Sequence, residues 1–129
     1  MDMNVLIVDD SPMIRKWVAR SLTQIGFQPE QIKEAGNGQE ALRVLKAEHV
    51  ELVLLDLHMP IMDGEAFVRV VRSEDVYKEL EIVIVSTESN EDRLEELKRL
   101  GVSKTLRKPF EPDTLQAIVV EVRERRKAS

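Results

Sequence analysis

Short apolar runs alternate with stretches of helical spacing along the whole chain. Val5-Leu6-Ile7-Val8, Leu52-Val53-Leu54-Leu55 and Ile82-Val83-Ile84-Val85 are unbroken apolar tetrads. That pattern suits strands buried on both faces. Ile32 to Ala35 predicts a further short strand, and Val102 to Leu106 a weaker one. Between the strands, apolar residues recur at three and four positions. Met13, Ile14, Trp17, Val18, Leu22 and Ile25 predict a first helix, with Pro12 in its first turn and Gly26 as its stop. Gly36-Asn37-Gly38 is turn chemistry before a second helix carrying Ala41, Leu42 and Leu45. Leu57 to Asp63 reads as a loop, and Gly64 opens a third helix with Phe67, Val70 and Val71. Ser73 to Leu80 is polar and reads as a loop or frayed helix end. Asn90 caps a fourth helix with Leu94 and Leu97 inward. Leu115, Ile118, Val119 and Val122 mark a fifth after Pro109.

Five strand–helix repeats predict an α/β doubly wound parallel sheet with helices on both faces. Two strand orders are common for such sheets, and in both the ligand sits beyond the carboxyl ends of the strands. Neither G-x-G-x-x-G nor G-x-x-x-x-G-K-[ST] occurs, which removes the usual nucleotide signatures.

Composition narrows the field. The 129 residues fit one domain, taken as 1–129. There is no cysteine, so disulfides, thiolate zinc sites, iron–sulfur clusters and thiol catalysis are excluded. A formal net charge of -5 argues against a nucleic-acid partner. No apolar run approaches the ~20 residues that span a bilayer. Met1-Asp2-Met3-Asn4 lacks the basic start of a signal peptide. The expectation is a cytoplasmic protein without membrane contact.

The candidate chemistry stands at the strand ends. Asp9 and Asp10 follow the first strand, Asp56 the third, Ser86 and Thr87 the fourth, and Lys108 the fifth. Singly, each has an ordinary structural reading as turn residue, cap or solvated charge. Together, in a parallel sheet, they converge on one edge. Gathered carboxylates repel, and a hard divalent cation with oxygen preference relieves them; magnesium fits best. A cation, an ammonium and a hydroxyl match a phosphoryl group, and a carboxylate can attack phosphorus. Asp56, alone on the central strand, is the candidate nucleophile. His58, two positions on, is a candidate for tuning water access. His49 has no assigned chemistry.

These residues resemble the receiver domain of two-component response regulators. Val8-Asp9-Asp10-Ser11, Leu55-Asp56-Leu57-His58-Met59-Pro60, Met62-Asp63-Gly64, Val85-Ser86-Thr87-Glu88 and Lys108-Pro109-Phe110 carry the resemblance, over roughly residues 4 to 124. It implies a flavodoxin-like five-stranded parallel sheet of order 2-1-3-4-5 with five helices, and a cis peptide before Pro109. It implies Asp56 as phosphoacceptor. Mg2+ would be held by Asp10, Asp56 and the backbone carbonyl of His58, and by Asp9 through water. Lys108 would contact a phosphoryl oxygen, and Ser86 would swing in to hydrogen-bond it. The donor would be a sensor histidine kinase. A downstream protein would read the helix 4–strand 5–helix 5 face, in chemotaxis-type signalling, from a monomer. Such a chain is a phosphoacceptor switch and not an enzyme.

Two positions depart from the family pattern. Thr105 stands where an aromatic residue often rotates inward, so a smaller rearrangement of Ser86 with the following loop is expected. Thr87 stands where a small residue is usual, and its bulk is expected to narrow the phosphoryl pocket. Three other readings compete. The chain could be the N-terminal receiver of a larger regulator, its charged tail, Arg123 to Ser129, then starting a linker. An aspartyl-nucleophile phosphatase would place a second acid two residues past the nucleophile, where His58 stands. A binding module without phosphorylation would have no need of the acidic pair, Asp56 and Lys108.

Overall fold

The computed structural model describes residues 3–128. Met1, Asp2 and Ser129 lie outside them, and with them part of the N-terminal reading and the last residue of the tail. β1 (Val5–Val8), β2 (Ile32–Ala35), β3 (Leu52–Leu55), β4 (Glu81–Ser86) and β5 (Lys104–Arg107) form one sheet, all parallel, in the order β2-β1-β3-β4-β5. This is the flavodoxin-like order that the resemblance implied.

Five α-helices connect and close the sheet: α1 (Pro12–Thr23), α2 (Gly38–Ala47), α3 (Gly64–Arg72), α4 (Glu91–Arg99) and α5 (Pro112–Ala128). Caps start four of them. Ser11, Asn37, Asp63 and Asn90 each accept, through the side chain, the backbone N–H three residues on. Such a bond satisfies a donor that the helix itself cannot.

The central strands are buried throughout, and alternate residues serve two cores. Val5, Ile7, Leu52, Leu54, Val83 and Val85 pack against Val18 and Leu22 of α1 and Leu115, Val119 and Val122 of α5. Leu6, Val8, Val53, Leu55, Ile82 and Ile84 pack against α2, α3 and α4, with Phe67 and Leu97 fully buried. Right-handed crossovers dictate this division, because the chain leaves β1 toward one edge and β3 toward the other. Where those directions diverge, between β1 and β3, the carboxyl ends open a crevice.

Two expectations shift. The last strand begins at Lys104 and runs through Arg107, not Val102 to Leu106. Val102 is spent on ending α4, its N–H bonding the carbonyl of Leu97. The polar stretch after α3 contains a 3-10 turn at Asp75–Tyr77. Arg72 organises it by donating to the carbonyls of Tyr77, Leu80, Leu100 and Gly101. The charged tail, through Ala128, is the end of α5. Among the described residues, no helix is long and apolar enough to cross a membrane.

Candidate functional site

Asp9 and Asp56 continue the sheet before leaving it. The Asp9 N–H bonds Ala35 and the Asp56 N–H bonds Val8, which fixes both backbones at the crevice. Gly64 lies against the Asp56 carbonyl and 2.8 Å, at a would-be Cβ, from Leu57 Cα; no side chain fits there. Gly38 is required in the same way, since a Cβ would fall 2.9 Å from the Met62 carbonyl. That contact holds the β3–α3 loop down, with the Gly38 N–H donating to Met62 O at 2.9 Å. The loop is tight enough that Ile61 takes φ 70°. A β-branched residue rarely adopts that backbone.

Carboxylate oxygens of Asp9, Asp10 and Asp56 lie within 4.8 Å of one another. Asp9 and Asp56 are buried, while Asp10 is exposed and free of hydrogen bonds and ion pairs among the described residues. Lys108 reaches in from the end of β5. Its Nζ is 2.7 Å from Asp9 Oδ2 and 3.8 Å from Asp56 Oδ2. Its backbone N–H bonds the Ser86 carbonyl, and the Lys108–Pro109 peptide is cis, as the resemblance implied. The other Asp9 oxygen accepts the Ser11 N–H at 2.9 Å.

Burial pushes the Asp56 carboxyl above its usual range. Lys108 opposes the rise, Asp9 adds to it, and hydrogen bonds from the His58 N–H and the Ser86 hydroxyl oppose it again. Ser86 is buried. Its Oγ also accepts the Glu88 N–H at 3.3 Å. Thr87 is exposed at the rim, and Thr105 is half-buried on β5. His58 is half-exposed, and its ring faces Glu88 rather than Asp56. His49 is exposed; its ring faces Glu51, and its carbonyl accepts from Asn4 Nδ2.

Two residues escaped the sequence reading. Arg15 donates to the Asp9 carbonyl at 2.5 Å and pairs with Glu34 on β2, bracing the β1–α1 turn. Its place one turn into α1 was the available signal. Glu88 stands between His58 at 3.5 Å and Arg93 at 3.4 Å, and Arg93 continues to Glu65 on α3. The Asn90 N–H, then Arg93 and His58, hold the Glu88 carboxyl below its usual range. The β3–α3 and β4–α4 loops are therefore tied across the crevice mouth.

The donor set is all oxygen, without nitrogen or sulfur, which suits a hard cation of the magnesium type. Carboxylates, an ammonium and a hydroxyl residue thus gather at the switch point of a doubly wound sheet. Residues 5–120 match the response regulator receiver domain, and the chain belongs to that family. It is 34% identical over 121 residues to the chemotaxis protein CheY homolog of Campylobacter jejuni, covering 93% of this chain and 92% of that protein. It is 34% identical to the transcriptional regulatory protein MalR of Bacillus subtilis, covering 96% of this chain but 52% of that one. The structure of the chemotaxis response regulator CheY4 of Vibrio cholerae superposes with a TM-score of 0.84 at 34% identity, over 95% of this chain and 99% of that one.

Proposed function

We propose that this receiver is a phosphoacceptor switch in chemotaxis-type signalling, with Asp56 accepting a phosphoryl group from a sensor histidine kinase. The observation that carries the reading is Asp56 itself: buried, at the sheet's switch point, with Lys108 Nζ 3.8 Å away and two further carboxylates beside it. An Asp56 oxygen forms the O–P bond as the P–N bond of phosphohistidine breaks. The electron pair leaves on the imidazole nitrogen, which takes up a proton. Lys108 and Ser86 donate to the phosphoryl oxygens as charge develops on them. Asp10, Asp56 and the His58 carbonyl, with Asp9 beside them, would hold Mg2+. When bound, the ion supplies positive charge against the transferring oxygens.

Thr87 and His58 tune the access of water, which later hydrolyses the acyl phosphate. The chain acts on nothing but itself, so it is a switch and not a turnover enzyme. Phosphorylation redirects Ser86 and the Glu88 loop, and through the tie from Glu88 to Arg93 it biases α4. A protein partner reads the α4–β5–α5 face of a cytoplasmic monomer, residues 1–129 forming one receiver domain. Asp56→Asn is expected to abolish labelling from phosphohistidine, or from a small acyl phosphate with magnesium. Undiminished labelling would sink the assignment.

A second reading has one observation behind it. The match to MalR spans only 52% of that protein. The same receiver is thus compatible with service as the N-terminal part of a larger regulator. The full open reading frame decides between the two.

A further inference from the structure

Between the start of α4 and β5 lies a cavity of about 140 Å³. Ile84 and Leu94 give it apolar walls, while Ser86 and Thr105 contribute hydroxyls. Glu91, in the first turn of α4, and Arg107, at the end of β5, stand at its exposed rim. The volume is close to that of an apolar protein cavity of about 150 Å³ that takes up benzene. No ring of this chain lines it. Trp17 and Phe110 pack on each other, Phe27 lies under Arg123, and Phe67 and Tyr77 belong to the α2–α3–α4 core. Thr105 is too small to fill the space from β5.

We propose that this cavity is the anchor site of the output protein, taking one tyrosine or tryptophan side chain that neighbours a basic residue. A ring with a polar edge satisfies both the apolar walls and the three hydroxyl residues of the lining, Ser86, Ser89 and Thr105, and such rings dominate interface anchors. The basic neighbour is set on the α4 side by Glu91, which, like Arg107 on the β5 side, makes no ion pair among the described residues, so the rim is negative at α4 and positive at β5. Ser86 connects the pocket to the crevice, because its carbonyl accepts the Lys108 N–H and its hydroxyl accepts the Glu88 N–H. A ring seated beside Ser86 therefore binds one arrangement of the β4–α4 loop better than another. By reciprocity, phosphorylation of Asp56 changes the ring's affinity. That the anchor belongs to the output protein rests on the phosphoacceptor reading; that the cavity takes the ring does not.

The test is an amide-shift titration of the whole chain with acetyl-Tyr-Lys-amide, acetyl-Ala-Lys-amide and acetyl-Tyr-Glu-amide. The first is expected to bind near millimolar, as a single anchor does at about 4 kcal/mol, with shifts centred on Ser86, Leu94 and Thr105. The alanine peptide should bind at least tenfold more weakly, and the glutamate peptide at least threefold. Thr105→Trp and Leu94→Trp fill the cavity from opposite walls, and each should weaken the tyrosine peptide at least tenfold. Thr105→Ser, which keeps the hydroxyl and leaves the space open, should retain it within about threefold. Equal response to tyrosine and alanine, shifts centred elsewhere, or undiminished binding in both tryptophan variants overturns the proposal. Equal binding of the glutamate peptide overturns its basic-neighbour half. Labelling of Asp56 in the unaltered protein is scored separately. Absent labelling then counts against the phosphoacceptor reading, and absent ring-specific shifts count against the cavity.

Discussion

Asp56 carries two opposed demands. The proposed transfer needs its carboxylate ionised, whereas burial and the neighbouring Asp9 disfavour the charge. A folded-state pKa raised above the ordinary 3.8 means that the folded chain holds its proton longer than the unfolded one. The stability contributed by this group is then present below pH ~3.8 and lost as pH rises through the higher folded value. Asp56→Asn removes the penalty, and Lys108 keeps Asp9 at 2.7 Å as its partner. Without metal, the variant is expected to melt at a higher temperature than the unaltered chain at neutral pH. The difference should vanish at pH 3, and thermal scans across pH check it; a variant less stable at neutral pH would contradict the account. At this scale the reactive groups were legible because each follows a strand. Arg15 and Glu88 were not, because their roles lie in contacts with Glu34, His58 and Arg93 that no local pattern encodes.

Element by element, the caps were the clearest signal. Asn90 was legible as the α4 cap because a short polar acceptor precedes the helix. The edges were less so. β5 starts two residues late because Val102 closes α4, a competition that apolar character alone does not reveal. Arg72 illustrates the same limit. In sequence it is one more cation at a helix end; in the fold it supplies the donors for four carbonyls across the turn after α3 and the end of α4. Arg72→Ala is expected to cost about 2 to 3 kcal/mol, since carbonyls drawn from water lose a charged donor. Denaturant unfolding measures the loss. Arg72→Lys should recover only part of it, because one ammonium cannot match the guanidinium fork.

The whole molecule converts alternation into a site: strand order and crossover hand bring residues 9, 10, 56, 86 and 108 to one crevice. That convergence was readable from sequence. The cavity beside Thr105 was not, because a void is set by what several elements leave unfilled. Magnesium at ten times its dissociation constant should stabilise the folded chain by about 1.4 kcal/mol, as mass action requires. Asp10→Asn should lose most of that gain, since Asp10 is the exposed, unpartnered carboxylate of the cluster. Calorimetric scans with and without the ion measure both, and an equal gain in the variant would remove Asp10 from the ion's shell. The bond from Lys108 to Asp9 joins positions 99 apart. A ribosome adding ~5 to 20 residues per second needs roughly 5 to 20 seconds to travel that distance. Throughout that interval a nascent chain displays its acidic residues without their ammonium. The complete arrangement exists only in chains whose synthesis has passed the last strand.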